Sequence, residues 1–348
     1  MDKKLILSVA GSGKTTFIIN SLSLDSRALV LTYTDNNYDN LRKCIIKKFG
    51  ILPEGIKVYK YFSFLYSFCY KPFLYNKIKA KGYNWDTPPE YTSRLSRSNI
   101  QFYLDRNNRL YHNRVAKILE QERLLGQLNQ RIAKYFDTVY VDEVQDFAGH
   151  DFNLLKSIVG YSGNTYFVGD YYQHTYDTSR DGNVNANLHK SFFGFVKNME
   201  NAGVEIDVIT LAKSYRCPPN VCSFIENNLG ISIKSHRDDC FTIQYLSSKQ
   251  EIENVFNDAS IVKLFYQKHY QYGVYSQNWG SSKGIDHYRS VCVVLNDTTL
   301  KHYRGATLIM LNPKTKSKFY VACSRAREHL YFVSEALVQN LLYADIKK

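Results

Sequence analysis

The sequence contains no long apolar run. The longest near its start, residues 5–10, is too short for a signal peptide or a membrane span. The expectation is therefore a soluble, cytoplasmic protein with no membrane partner. Internal repeats and low-complexity linkers are missing as well, and no stretch is disordered by composition. Cysteine is sparse: Cys44, Cys69, Cys217, Cys222, Cys240, Cys292 and Cys323 are an odd number scattered through 348 residues. That pattern excludes a disulfide framework and fits reduced intracellular thiols. Cys217, Cys222, His236 and Cys240 match no common zinc spacing, and Pro218-Pro219 splits the first pair, so the plain reading is that they bind no metal. Acidic residues are outnumbered, 32 against 45 Lys and Arg, for a net charge of +13 and a pI near 9.2. Excess positive charge attracts polyanions through phosphate contacts and counterion release, which makes nucleic acid a natural partner. The 29 Tyr and 20 Phe could supply stacking platforms, although most of these rings must be core.

At 348 residues and 44% apolar composition, the chain can build two ordinary domains with real cores. Short apolar runs bounded by turn residues recur at 5–9, 28–32, 139–141 and 165–168, with helical patterns between them at 15–21, 38–48 and 152–159. Nearly continuous apolar strands alternating with helices are what a parallel sheet covered on both faces requires. The second half repeats the rhythm: strand 208–211, helix 220–228, strand 241–245, helix 252–270, then strands 291–295 and 330–333. The fold class expected is α/β, two tandem units with parallel sheets, divided softly at 1–200 and 201–348. Residues 71–130 break the rhythm with Pro72, Pro88-Pro89 and an Arg/Asn-rich run, and are expected to form a small helical insertion in the first unit.

The apolar run 5–9 leads directly into Ala10-Gly11-Ser12-Gly13-Lys14-Thr15-Thr16 and an apolar helix. Strand, glycine-rich turn, Lys and Thr at a helix start form a triphosphate cradle. The glycines let backbone N–H groups close around phosphate, and the helix start adds its positive end. Lys14 is expected at the β- and γ-phosphates of ATP, and the Thr15 hydroxyl on Mg²⁺. Ser8 stands where the general pattern has its first glycine. A second acidic site should follow a buried strand, and Asp142-Glu143 follows Thr138-Val139-Tyr140-Val141. Asp142 would hold Mg²⁺ and Glu143 would polarise the attacking water. An Asp-Glu pair alone would be an ordinary solvated strand end; paired with the Lys14 loop it points to a triphosphatase.

Asp142-Glu143-Val144-Gln145-Asp146 also resembles the D-E-x-Q-D box of UvrD/Rep-type superfamily 1 DNA helicases, and other boxes of that family follow in order. Leu31-Thr32-Tyr33-Thr34-Asp35 is similar to the segment whose ring contacts single-stranded DNA, which implies Tyr33 in that role. Residues 168–176, Val-Gly-Asp-Tyr-Tyr-Gln-His-Thr-Tyr, resemble the next box, implying Gln173 as γ-phosphate sensor and Tyr176 on the nucleic-acid side. Ser214-Tyr215-Arg216 implies a tyrosine stacked on the nucleotide base and an arginine finger. Ser282-Lys283-Gly284-Ile285-Asp286 implies nucleotide-side contacts at Gly284 and at Asp286, which stands where the family has Glu. Residues 320–327 imply Arg325 as the second arginine at the phosphates, while Arg327 is better explained by a surface salt bridge. The resemblance implies two tandem RecA-like domains and 3′-to-5′ translocation on DNA driven by ATP.

The chain also departs from that family. Its glycine-rich loop lies so close to residue 1 that no adenine-reading glutamine segment is expected before it, which would relax base selectivity and leave it to stacking on Tyr215. Little chain separates Arg216 from Lys283, where relatives carry a large insertion, and Thr178 stands where an aromatic ring is expected. These losses fall on DNA handling and spare ATP hydrolysis. Two readings therefore stand: a minimal translocase on single-stranded or end-containing DNA, or a DNA-sensing NTPase that regulates a partner nuclease, as in anti-phage defence. A P-loop small-molecule kinase is more remote, since it would lack the paired arginines.

Overall fold

The computed structural model describes residues 1–175 and 181–342. Its first sheet has six strands in the order Ile56–Lys60, Ala28–Thr32, Thr138–Asp142, Asn164–Gly169, Lys3–Ser8 and Glu205–Leu211. The first four pair in parallel, with Leu29 opposite Val139 and Val139 opposite Thr165. Parallel neighbours need crossovers, and helices such as Asp35–Phe49 and Leu125–Tyr135 supply them. Every residue of Ala28–Thr32 is buried, as a strand covered on both faces requires. The second sheet has five parallel strands, ordered Ile243–Tyr245, Leu330–Ser334, Val291–Leu295, Val262–Phe265 and Ser276–Asn278. The chain is thus α/β with parallel sheets. Among the described residues no helix is long and apolar enough to cross a membrane.

Packing divides the chain into two compact units that are not consecutive in sequence. One comprises Met1–Ile6, Thr15–Gly169 and Asp177–Asp207; the other comprises Leu7–Lys14, Asp170–Tyr176 and Val208–Lys348. The glycine-rich loop therefore belongs to the unit that carries most of the C-terminal half.

The helix expected over 252–270 is two elements. Ser248 and Glu251 form a capping box that starts a helix at Lys249–Asn257, and after a polar turn Val262–Phe265 becomes a fully buried strand. Its four residues read equally as helix or strand, and only pairing on both edges decided between them. The segment 71–130 carries the helices Lys71–Ile78, Val115–Gln121 and Leu125–Tyr135, and in addition a two-stranded parallel ladder, Tyr83–Asn84 with Leu110–Tyr111. Two-residue strands have no periodicity to read.

That segment is anchored by buried charge. Arg114 and Lys117 are 2% and 4% exposed, and both bind Asp181, at 2.8 and 2.5 Å. Arg114 also donates to Thr92 Oγ1 at 2.9 Å and to the Phe102 carbonyl at 2.6 Å. Burial alone would raise the Asp181 carboxyl, but its bonds to Arg114 and Lys117 outweigh this and hold it below the ordinary carboxylate range. Asp181→Asn strands two buried cations and should lose about 3–5 kcal/mol of stability. A depressed carboxylate contributes above its unfolded pKa and loses that contribution as pH falls through its folded value. The gap between wild type and variant should therefore close in acid, and thermal melts from neutral pH down to about 3 would measure it.

Candidate active site

The strand Lys3–Ser8 leads into a loop held from several sides within one unit. The Ala10 N–H donates to Tyr320 Oη at 2.9 Å, the Ala10 carbonyl accepts from Ser214 Oγ at 2.7 Å, and the Gly11 carbonyl accepts from the Tyr215 N–H at 2.9 Å. Gly11 and Gly13 have φ of +70° and +87°, in the left-handed region that favours glycine. Among the described residues the N–H groups of Gly11 and Gly13 have no partner. The Ser12 hydroxyl, on a residue 3% exposed, is also without one. Three unmatched donors on consecutive residues, one of them the buried Ser12 hydroxyl, suit an anion. Lys14, Thr15 and Thr16 open the helix Lys14–Asn20; Thr15 is half-buried and Thr16 exposed.

A Cβ on Gly11 would lie 2.5 Å from Arg216 Cβ and 3.0 Å from Ser214 Oγ. Gly11→Ala should therefore displace the loop from Arg216 and Ser214 and abolish the nucleotide binding expected of it. Gly50→Ala is the control, since Gly50 has φ +79° with nothing within 4 Å. It should cost only about 1–2 kcal/mol and leave binding intact. Titration of both variants with a fluorescent nucleotide makes the comparison.

In the other unit, the strand Thr138–Asp142 ends on Asp142, 2% exposed, with the Thr32 hydroxyl 3.5 Å away. Glu143 has φ +55° and ψ +45° and is 8% exposed. A non-glycine residue held there costs about 1–3 kcal/mol, and such strain gathers at functional positions. The Gln145 amide donates to the Glu143 carboxylate. Gly169, at the end of the adjacent strand, leaves room for this turn: a Cβ there would collide with Gln145 Oε1 and sit 3.0 Å from Val144 Cγ1. Gln145 and Asp146 are buried at 1% and 0%.

The arginines lie in the unit that holds residues 7–14. Arg216 Nε binds Asp286 Oδ1 at 2.7 Å, and its Nη1 donates to the Ser324 carbonyl at 3.3 Å. Arg325, 2% exposed, donates to the carbonyls of Val321 and Ile285 at 3.2 and 3.0 Å. Burial and the neighbouring Arg216 push its guanidinium below the ordinary arginine value. Arg327 pairs with Asp286 at 3.0 Å, the salt bridge expected for it. Burial alone would raise the Asp286 carboxyl, but Arg216, Arg327 and Arg325 outweigh it and hold it low. Asp286 is thus an organiser of arginines, and Gly284, φ +81°, turns the chain just before it.

Gln173, 3% exposed, ends a short turn whose first N–H, on Tyr172, is capped by Asp170 at 3.1 Å. Tyr320 donates to Asp170 at 2.9 Å while accepting from Ala10, so one buried phenol ties the glycine-rich loop to that turn. Sequence reasoning missed Tyr320: five positions before Arg325 on an apolar helix it reads as core. Tyr215 is 60% exposed, and its other face stacks on His236 at 3.9 Å and 11°. The sequence marks His236 only as a member of an unmatched zinc spacing, and among the described residues no cluster of His, Cys, Asp or Glu is arranged to hold a metal. Tyr33 is half-buried, with Phe62 and Phe147 rings 5.6 and 5.7 Å away. Tyr176 lies outside the described residues.

The family model of the viral superfamily 1 RNA helicase core domain matches residues 93–334. The chain belongs to that family. The matched span of this helicase core holds Asp142, Glu143, Gln173, Arg216, Asp286 and Arg325, and begins after the glycine-rich loop. The match supports superfamily 1 and not the UvrD/Rep branch in particular. Short boxes are shaped by shared phosphate chemistry, so they report the superfamily better than its branch. No curated protein matches the helicase core. Among solved structures it is similar to the PRRSV helicase, at 13% identity and a TM-score of 0.48, over 96% of this chain and 52% of that one. It is also similar to arterivirus nonstructural protein 10, a helicase solved in complex with DNA, at 14% identity and a TM-score of 0.47, over 98% of this chain and 63% of that one. The helicase core thus spans between half and two-thirds of these proteins' length.

Proposed function

We propose that this helicase core is a nucleic-acid-dependent ATPase that moves along a single strand. The observation that carries the reading is the loop of Gly11, Ser12 and Gly13, with three unmatched donors and Arg216 packed against it in the same unit. Those donors and Lys14 would hold the phosphates of ATP, Thr15 and Asp142 would hold Mg²⁺, and Tyr215 would stack on the base. The metal, when bound, offsets phosphate charge. Glu143 would take the proton of the attacking water as its oxygen bonds to the γ-phosphorus and the bond to ADP breaks. Gln173 would sense the γ-phosphate, Gly284 and Asp286 would lie on the nucleotide side, and Arg216 and Arg325 would neutralise charge developing on the transferred group. The chain would work as two RecA-like domains that open and close with each cycle, with Tyr33 and Tyr176 on the strand.

The finer assignment, a UvrD/Rep-type motor running 3′ to 5′ on DNA, belongs to the same proposal. The D-E-V-Q-D box supports it, whereas the name of the matched family points to RNA. Displacement assays on duplexes with a 3′ or a 5′ tail, in DNA and in RNA, test polarity and substrate together. Displacement only from 5′-tailed substrates would overturn the UvrD/Rep direction. Strand-stimulated hydrolysis without any displacement would favour the sensor subunit acting with a partner nuclease.

A further inference from the structure

The strands Tyr83–Asn84 and Leu110–Tyr111 pair in parallel, Tyr83 opposite Leu110 and Asn84 opposite Tyr111. The residues before them are cationic and those after them aromatic. Before them, Lys81, Arg106, Asn107, Asn108 and Arg109 line an open pocket of about 540 Å³. The Lys81 N–H donates to the Asn108 carbonyl at 2.8 Å, which joins the two approaches. Asp105 holds Arg109 at 2.8 Å and Asn84 at 2.9 Å. Lys81 and Arg106 have no acidic partner among the described residues. The pocket therefore presents positive charge that the fold has not spent on a salt bridge.

After the strands, the Trp85 ring lies 4.9 Å from Phe62, 5.2 Å from Tyr83 and 5.3 Å from His112. Burial lowers the His112 pKa despite its bond to the Asn84 carbonyl, so the imidazole stays an uncharged ring at neutral pH. Trp85 is nonetheless 59% exposed. An indole this open, backed by three rings, offers a stacking face. Phe62 also lies 5.6 Å from Tyr33, so rings run without a break from Tyr33 to Trp85. From Lys81 to Trp85 an extended chain covers about 13 Å, the reach of a few nucleotides.

We infer that this ladder is a binding site for single-stranded nucleic acid, with an unpaired base stacked on Trp85 and backbone phosphates held by Lys81 and Arg106. A duplex keeps its bases stacked on one another and would leave the indole unused, whereas a flexible strand satisfies both ends of the ladder. The inference rests on the nucleic-acid reading above and extends it to residues outside every box of the sequence.

The chain has two tryptophans, and Trp279 is fully buried, so stacking on Trp85 should appear as quenching of intrinsic fluorescence. Labelled oligothymidylate and oligouridylate are titrated into the full chain while tryptophan emission and oligonucleotide anisotropy are followed together. We expect a saturable quench that tracks the anisotropy. Trp85→Ala should abolish the quench and weaken binding on the order of tenfold. Trp85→Phe should remove the signal but keep most of the affinity. The double variant Lys81→Glu, Arg106→Glu should weaken binding and flatten its salt dependence. Binding by anisotropy without quenching in the wild type would overturn the site and leave the nucleic-acid reading intact. Wild-type affinity in Trp85→Ala would do the same. No binding of either oligonucleotide, together with no stimulation of hydrolysis, would overturn both.

Discussion

Glu143→Gln should lower hydrolysis on the order of 10³-fold, to near background, while the protein still binds nucleotide. Glutamine keeps the size of the side chain and the left-handed backbone at φ +55°, so the turn built with Gln145 should survive. What it loses is the ability to take a proton from water. Lys14→Ala should also abolish hydrolysis, for a different reason: it removes the cation proposed for the β- and γ-phosphates, so binding should weaken as well. Phosphate release and titration with a fluorescent nucleotide separate the two cases. Retained turnover in purified Glu143→Gln protein would sink the base assignment.

Arg216→Ala and Arg325→Ala should each reduce turnover on the order of 10³-fold, with nucleotide affinity changing less than turnover. The two sites differ in how much structure depends on them. Arg216 is tied to Asp286 and to the Ser324 carbonyl, partners that can turn to solvent or to Arg327. Arg325 is buried and satisfies the carbonyls of Val321 and Ile285, so its loss should also lower the melting temperature. Single-turnover measurements below the melting point of each variant distinguish chemistry from folding. Wild-type-like turnover in both would mean that these arginines do not complete the site.

Much of the fold could be read in advance because its strands are short, apolar and buried. The strand 291–295 lies at Val291–Leu295 as expected, and the glycine-rich loop and the acidic strand end each sit on the element that their patterns indicated. The misreadings share one cause. The helix expected over 252–270 hides a buried strand, and the ladder at Tyr83 and Leu110 has no period, so both depend on which neighbour the backbone meets. The boxes indicate superfamily 1 but not its branch for a related reason: a few residues at each box carry that finer reading, while the family match rests on 93–334 as a whole.

The sequence by itself determined which residue types stand at which spacings, and the proposed phosphate, magnesium and water-activating roles depend on those spacings along one stretch of chain. Tertiary structure alone decided how those residues are held. It packs Leu7–Lys14 with Arg216, makes Asp286 the partner of Arg216 and Arg327, joins Ala10 to Asp170 through Tyr320, and stacks Tyr215 on His236. Such contacts link residues up to 310 positions apart, and no local pattern in a chain records which distant surface it will be packed against.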